Sequence, residues 1–145
     1  MVIIVVIMRN DKWLKNLTKQ ILQRYFSDVE IKNNLFIRFG KSNKQRLGTI
    51  KFGRRKEDPN TFITLNGFFR DENIPEFIIT ATLAHELVHY SQGFFSPHPQ
   101  MHRYPHRGSV VDKELTERGL DDTLKLQKEW LRKNWVDYIK KNYYV

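Results

Sequence analysis

Apolar residues recur along this chain at two different spacings, and the change from one to the other marks out its elements. Trp13, Leu14, Leu17, Ile21, Leu22 and Tyr25 fall mostly three or four apart, so they share one face of a helix. Asn10 or Asp11 supplies the N-cap, and the helix is expected to run to about Phe26. Leu35–Phe39, Thr49–Phe52 and Thr61–Leu65 are short, β-branched and aromatic, which predicts three strands. The turn-like stretches between them, Gly40–Gly48 and Gly53–Asn60, the second with Asp58-Pro59, predict an antiparallel meander. A second helix is expected from near Pro75 to a C-cap near Gly93. Its Phe77, Leu83, Ala84, Leu87 and Val88 cover most of the circumference, the mark of a central, buried helix. Pro97, Pro99 and Pro105 make Ser96–Gly108 a loop, and two helices, about Ser109–Arg118 and Asp121–Tyr143, close the chain. Helix, sheet, helix, helices is an α+β order. Without internal repeat, low-complexity tract or long linker, residues 1–145 read as one domain.

Composition narrows the chemistry. Hydrophobic residues make up 40% and charged residues 28% of the 145, which excludes a disordered chain and a membrane protein. The apolar run Met1–Met8 is too short to span a bilayer. It also lacks the leading positive charge and cleavage site of a secretion signal. It reads as an added strand or an apolar tail over the core, with a cytoplasmic location and no membrane partner expected. Cysteine is absent, so disulfides, thiolate zinc sites and cysteine nucleophiles are excluded, and a reducing compartment suits the chain.

The formal net charge is +9, and its distribution says more than its size. Arg38, Lys41, Lys44, Arg46, Lys51, Arg54, Arg55 and Lys56 follow one another with no acidic residue among them. A contiguous basic surface concentrates polyanions, of which nucleic-acid backbones are the commonest in a cell. Those eight residues are therefore the candidate nucleic-acid contacts, the alternative being a solvated face that only aids solubility. Phe39 and Phe52 interleave with them, although a strand needs core aromatics in any case.

The chemistry-bearing motif is His85-Glu86-Leu87-Val88-His89. Residues four apart lie one turn above the other on a helix, so both imidazoles can reach one tetrahedral zinc ion. Glu86 projects beside the metal, where it can take a proton from water as general base. Ile78 and Thr82, on the same face, are compatible with a cavity floor. Catalytic zinc usually has three protein ligands and an open position. His98, His102 and His106 are the histidines available downstream, and Glu114 or Glu117 could serve if the third ligand were a carboxylate. A metzincin is excluded, because Gln92 and Phe95 stand where its glycine and third histidine belong.

From Leu35 to Leu120 the chain resembles the SprT-like metallopeptidases, the family of the bacterial SprT proteins and eukaryotic Spartan. A basic β-rich segment leads into Thr82-Leu83-Ala84-His85-Glu86-Leu87-Val88-His89. A loop of middling length follows, then His106-Arg107-Gly108-Ser109-Val110-Val111, similar to the family's His-Gly-x-x-Phe element. Arg107 intervenes before the glycine, and Val110 and Val111 stand where the family usually has an aromatic residue. The resemblance implies a zincin-like fold, His106 as third ligand ahead of His102 and His98, one Zn2+ per chain, and Glu86 as catalytic base. It also implies an endopeptidase that acts on proteins bound to single-stranded or distorted DNA. The alternatives are a zinc peptidase with no DNA dependence and a zinc-bearing DNA-binding module without proteolysis. Tyr104 and Arg103 are candidate second oxyanion donors. Thr61–Leu65, read as a sheet edge, is the expected partner of an extended peptide substrate.

Overall fold

In the computed structural model, which describes residues 8–143, helix α1 (Asp11–Tyr25) starts where the sequence asks for a cap. The Asn10 side chain accepts from the Trp13 N–H at 2.8 Å, satisfying one of the helix's orphan donors. The strand or tail expected of residues 1–7 lies outside the described residues.

The three strands are β1 (Leu35–Phe39), β2 (Gly48–Phe52) and β3 (Thr61–Leu65). They form a mixed sheet in the order β1-β3-β2, not the antiparallel meander the turn pattern predicts. β3 runs parallel to β1, with Leu35 opposite Thr61, and antiparallel to β2, with Gly48 opposite Leu65. Thr61–Leu65 is therefore the central strand and not an edge, and β2 is one of the two outer strands. The reason lies in the connection 40–47. A tight hairpin would have forced β1 and β2 together, whereas eight residues span the gap of roughly 10 Å that a third strand fills.

Asn66, just past β3, holds that connection in place. Its buried amide donates to the Asn43 and Arg46 carbonyls at 2.6 and 2.8 Å. Its oxygen accepts from the Asn43 and Phe68 N–H groups at 3.2 and 3.0 Å.

β3 alternates cleanly, with Thr61, Ile63 and Leu65 buried and Phe62 and Thr64 turned to the other face. Ile63, Leu65, Ile50 and Phe39 pack with Leu14, Leu17 and Ile21 of α1 and with Ile78, Ile79, Leu83 and Leu87 of α2 (Glu76–Ser91) in one core. α2 is buried almost all round, as its sequence requires. It ends at Gln92, and Gly93 follows with φ +80, where a β-carbon would collide with the Pro99 carbonyl.

α3 (Val110–Glu117) and α4 (Asp121–Trp130) complete the cover of α2. A wider π-helical turn, Leu131–Trp135, joins α4 to α5 (Val136–Asn142), and the backbone at both junctions keeps helical dihedrals. Within that run the Trp135 ring lies parallel to Tyr138 at 6.0 Å, and its Nε1 donates to the Lys44 carbonyl at 2.9 Å. Tyr138 donates to Asp71 at 2.7 Å. No helix among the described residues is long and apolar enough to cross a membrane.

Candidate metal centre

One turn of α2 separates His85 from His89, and their ring centroids lie 4.8 Å apart. His106 comes from the loop between α2 and α3, and its ring stands 4.7 Å from His89. Gly93 turns the chain back on itself. The Phe94 N–H then bonds the His89 carbonyl and the Met101 N–H the Gln92 carbonyl, both at 2.9 Å. The Phe94 ring sits 5.1 Å from His89 and 5.3 Å from His106, so it packs against both imidazoles. Gly108 and Ser109, with φ of +68 and +55, then swing the chain into α3.

His85, Glu86, His89 and His106 line one side of a cleft of about 400 Å³. Residues Gly48–Lys51 of β2 form the opposite wall, with Arg46, Phe94 and Phe95 completing it.

Burial sets the protonation of this group. The Glu86 carboxyl, only 6% exposed, is pushed up to about 7 by desolvation. His89 is pushed down to about 3, first by burial and then by the neighbouring His85 and His106. Burial also lowers His85, with His106 lowering it further and Asp112 opposing. Both are neutral at pH 7, the form that offers a lone pair to a metal. Neither ring nitrogen of buried His89 has a hydrogen-bond partner among the described residues. Such an orphaned group costs about 1–3 kcal/mol unless something satisfies it. A set of neutral imidazoles with no thiolate suits zinc. The rings meet edge to face, however, and among the described residues no group of three His, Asp or Glu side chains already stands in a metal-holding arrangement. The residues fit zinc by chemistry and proximity, and holding it requires the rings to turn.

The other candidates go elsewhere. His98 packs on Tyr90, with centroids 5.4 Å apart, and its Nε2 donates to the Glu30 carbonyl at 2.6 Å. His102 is not a lining residue of the cleft. Glu114 accepts from Ser91 and Gln92 and pairs with Arg118 at 3.0 Å, so its carboxylate is already engaged, while Glu117 is exposed. Tyr104 lies under the guanidinium groups of Arg107 and Arg103, at 4.4 and 5.5 Å, outside the cleft lining. Ile78 belongs to the core and is no cavity floor, whereas Thr82 does face a cavity.

The basic residues all reach solvent and are spread over several elements. Arg38 is on β1; Lys41, Lys44 and Arg46 are on the 40–47 connection; Lys51 is on β2; Arg54, Arg55 and Lys56 are on the turn before β3. Arg46 and Lys51 line the cleft itself. Phe39 is 5% exposed and is spent on the core, so it offers no face to a base. Phe52 is exposed and meets Phe95 edge-on at 5.6 Å.

Three contributors escape sequence reasoning. Gly48, which looks like the end of a turn, is the first residue of β2; a β-carbon there would stand 3.0 Å from the Thr82 methyl and 3.4 Å from Glu86 Oε1. Gln127, one polar residue among many on α4, is buried and donates to Thr82 at 3.0 Å. With Leu47, Gly48, Thr82, His85 and Glu86 it lines a second cavity of about 160 Å³ beside Glu86. Asn66 carries no local signal beyond following a strand.

No family model, no curated protein and no solved structure matches this chain.

Proposed function

We propose that this protein is a zinc-dependent endopeptidase of the SprT-like kind, associated with DNA and acting on DNA-bound proteins. The observation that carries the reading is the gathering of three imidazoles, His85, His89 and His106, beside a buried carboxyl in a cleft lined by an outer strand.

His85, His89 and His106 would hold one zinc ion. When bound, the metal polarises a substrate carbonyl and lowers the pKa of water from 15.7 towards about 7. Glu86, with its own affinity for protons raised to about 7, is matched to taking the proton of the attacking water and passing it to the leaving amine. Among the described residues β2 pairs with β3 on one side only. Its other side can hydrogen-bond an extended peptide and lay it along the cleft, the role that the sequence pattern gives to Thr61–Leu65. Arg46 and Lys51 give the cleft a positive field that draws anionic surfaces toward it.

The test is cleavage of a basic DNA-binding protein by the zinc-loaded chain, with and without single-stranded DNA, against Glu86→Gln. Cleavage that needs DNA and vanishes in the variant is the expected result. Equal cleavage without DNA leaves a general zinc peptidase. No cleavage in either arm removes the peptidase reading and leaves a zinc-bearing binding module.

A further inference from the structure

We propose that the outer face of the sheet, carrying Phe36, Phe62, Arg38 and Lys51, is a stacking platform for single-stranded nucleic acid. This deepens the DNA-associated half of the proposed function and does not depend on hydrolysis.

The strand register builds the surface. Phe36 on β1, Phe62 on β3 and Lys51 on β2 are directly opposed in one row, and Arg38, Thr64 and Thr49 form the next. Directly opposed residues share a face, and this one is opposite the core face of Ile37, Ile63 and Ile50. α1 and α2 pack on the core side, and among the described residues no helix packs on the outer side. Phe36 is 46% exposed, and Arg38 and Lys51 are exposed.

The flat groups are aligned. The Phe36 and Phe62 rings stack with centroids 5.2 Å apart and planes 18° from parallel, and the Arg38 guanidinium lies 4.8 Å from the Phe62 centroid. Phe62 is thereby partly covered and backs the platform, while Phe36 and Arg38 remain exposed as the groups on which an unstacked base can lie.

Charge selects the occupant. Among the described residues, none of Arg38, Lys41, Arg46 or Lys51 is in an ion pair, and the stretch from Arg38 to Lys56 has no carboxylate. Exposed aromatic planes flanked by uncompensated cations match a polyanion with exposed bases. A duplex keeps its bases stacked on one another and offers only its phosphates. Solvation alone would be met by polar side chains on this face, and a cross-strand aromatic pair adds only about 0.2–1 kcal/mol to the sheet. Lys51 ends the Phe36–Phe62 row and also lines the cleft, so the platform and the cleft meet at that residue.

The experiment is a fluorescence-anisotropy titration of the intact zinc-loaded chain with labelled oligothymidylate of about fifteen nucleotides. An oligouridylate and a duplex of equal length are run beside it. Phe36→Ala is expected to weaken single-strand binding about tenfold or more while leaving duplex binding unchanged, and Phe36→Tyr to retain it. Lys51→Gln is expected to reduce the slope of log affinity against log salt by about one. Uridylate bound as well as thymidylate supports a platform that ignores the sugar, and weaker binding of one of them supports a platform that reads it.

If Phe36→Ala loses its circular-dichroism melt, Phe36→Leu, which keeps apolar bulk without a π-face, replaces it. Unchanged single-strand affinity in folded Phe36→Ala or Phe36→Leu overturns the platform. So does duplex binding as tight as single-strand binding. Affinity that falls in Arg54→Gln or Arg55→Gln but not in Phe36→Ala overturns the platform and leaves DNA association standing. No binding of any oligonucleotide overturns both, while leaving peptide cleavage to be judged by its own assay.

Discussion

Ile63 and Phe62 are neighbours on β3, yet Ile63 is fully buried against α2 while Phe62 faces outward beneath Phe36 and Arg38. The two faces of this small sheet put similar residues to opposite uses. On the inner face, apolar side chains exclude water, and the dry surroundings push Glu86 up and His89 down. On the outer face Arg38 and Lys51 are exposed, so these charges keep their water and act through field and contact. Burial acts on proton equilibria, whereas exposure acts on partners, so the faces should answer differently to the same kind of mutation.

The largest effect belongs to the inner cleft. Glu86→Gln should cut turnover about 10²–10⁴-fold while metal analysis still finds one zinc per chain, and Phe36→Ala should leave the turnover of a small peptide unchanged. Next comes the core itself. Ile63→Ala should cost about 2–5 kcal/mol in denaturant unfolding.

A pH prediction sharpens the contrast. Unfolded, His89 takes a proton at its ordinary 6.5; folded, it does so only at about 3. Its contribution to stability is therefore full above pH 6.5 and falls as the pH drops toward 3. Glu86 does the reverse: its contribution is full below its ordinary 4.5 and is lost as the pH rises through about 7. Between pH 4.5 and 6.5 the two slopes oppose each other. The metal-free Glu86→Gln variant, having lost the opposing one, should lose stability on acidification more steeply than the parent. The difference should be about one proton, or about 1.4 kcal/mol per pH unit. His85 titrates in both proteins and does not alter the difference. Identical slopes would mean that Glu86 is solvated.

Asn66→Ala should cost about 1–3 kcal/mol and quicken amide exchange across residues 43–46, because three hydrogen bonds to that connection pass through one side chain. The smallest effect is on the outer face. Phe36→Ala should cost less than about 1 kcal/mol, and a cost equal to that of Ile63→Ala would show that this face is covered.

How far these features can be read without the fold depends on how local their causes are. The Asn10 cap, the extent of α1 and the strand segments follow from residues within a few positions of one another. The central helix is equally local, and its all-round apolar surface announces its burial. The expected meander fails because turn composition says that the chain reverses but not which strand it returns beside. Phe36 and Phe39 look alike along the chain, and only the parity of β1 against the core sends one to solvent and the other inside.

The pairing of His85 with His89, and Glu86 beside them, is a consequence of sequence alone, since one helical turn brings residues four apart together whatever surrounds the helix. The absence of thiols and the run of cations are equally independent of fold. Only the tertiary structure decides that His106, and not His98 or His102, comes to His89. It alone moves the outer strand of the cleft from Thr61–Leu65 to Gly48–Phe52, and it alone puts Gly48 and Gln127 around Glu86. These outcomes depend on loops closing over long separations and on which strand fills a gap. Many local sequences satisfy such choices equally well, and the packing of the whole core selects one.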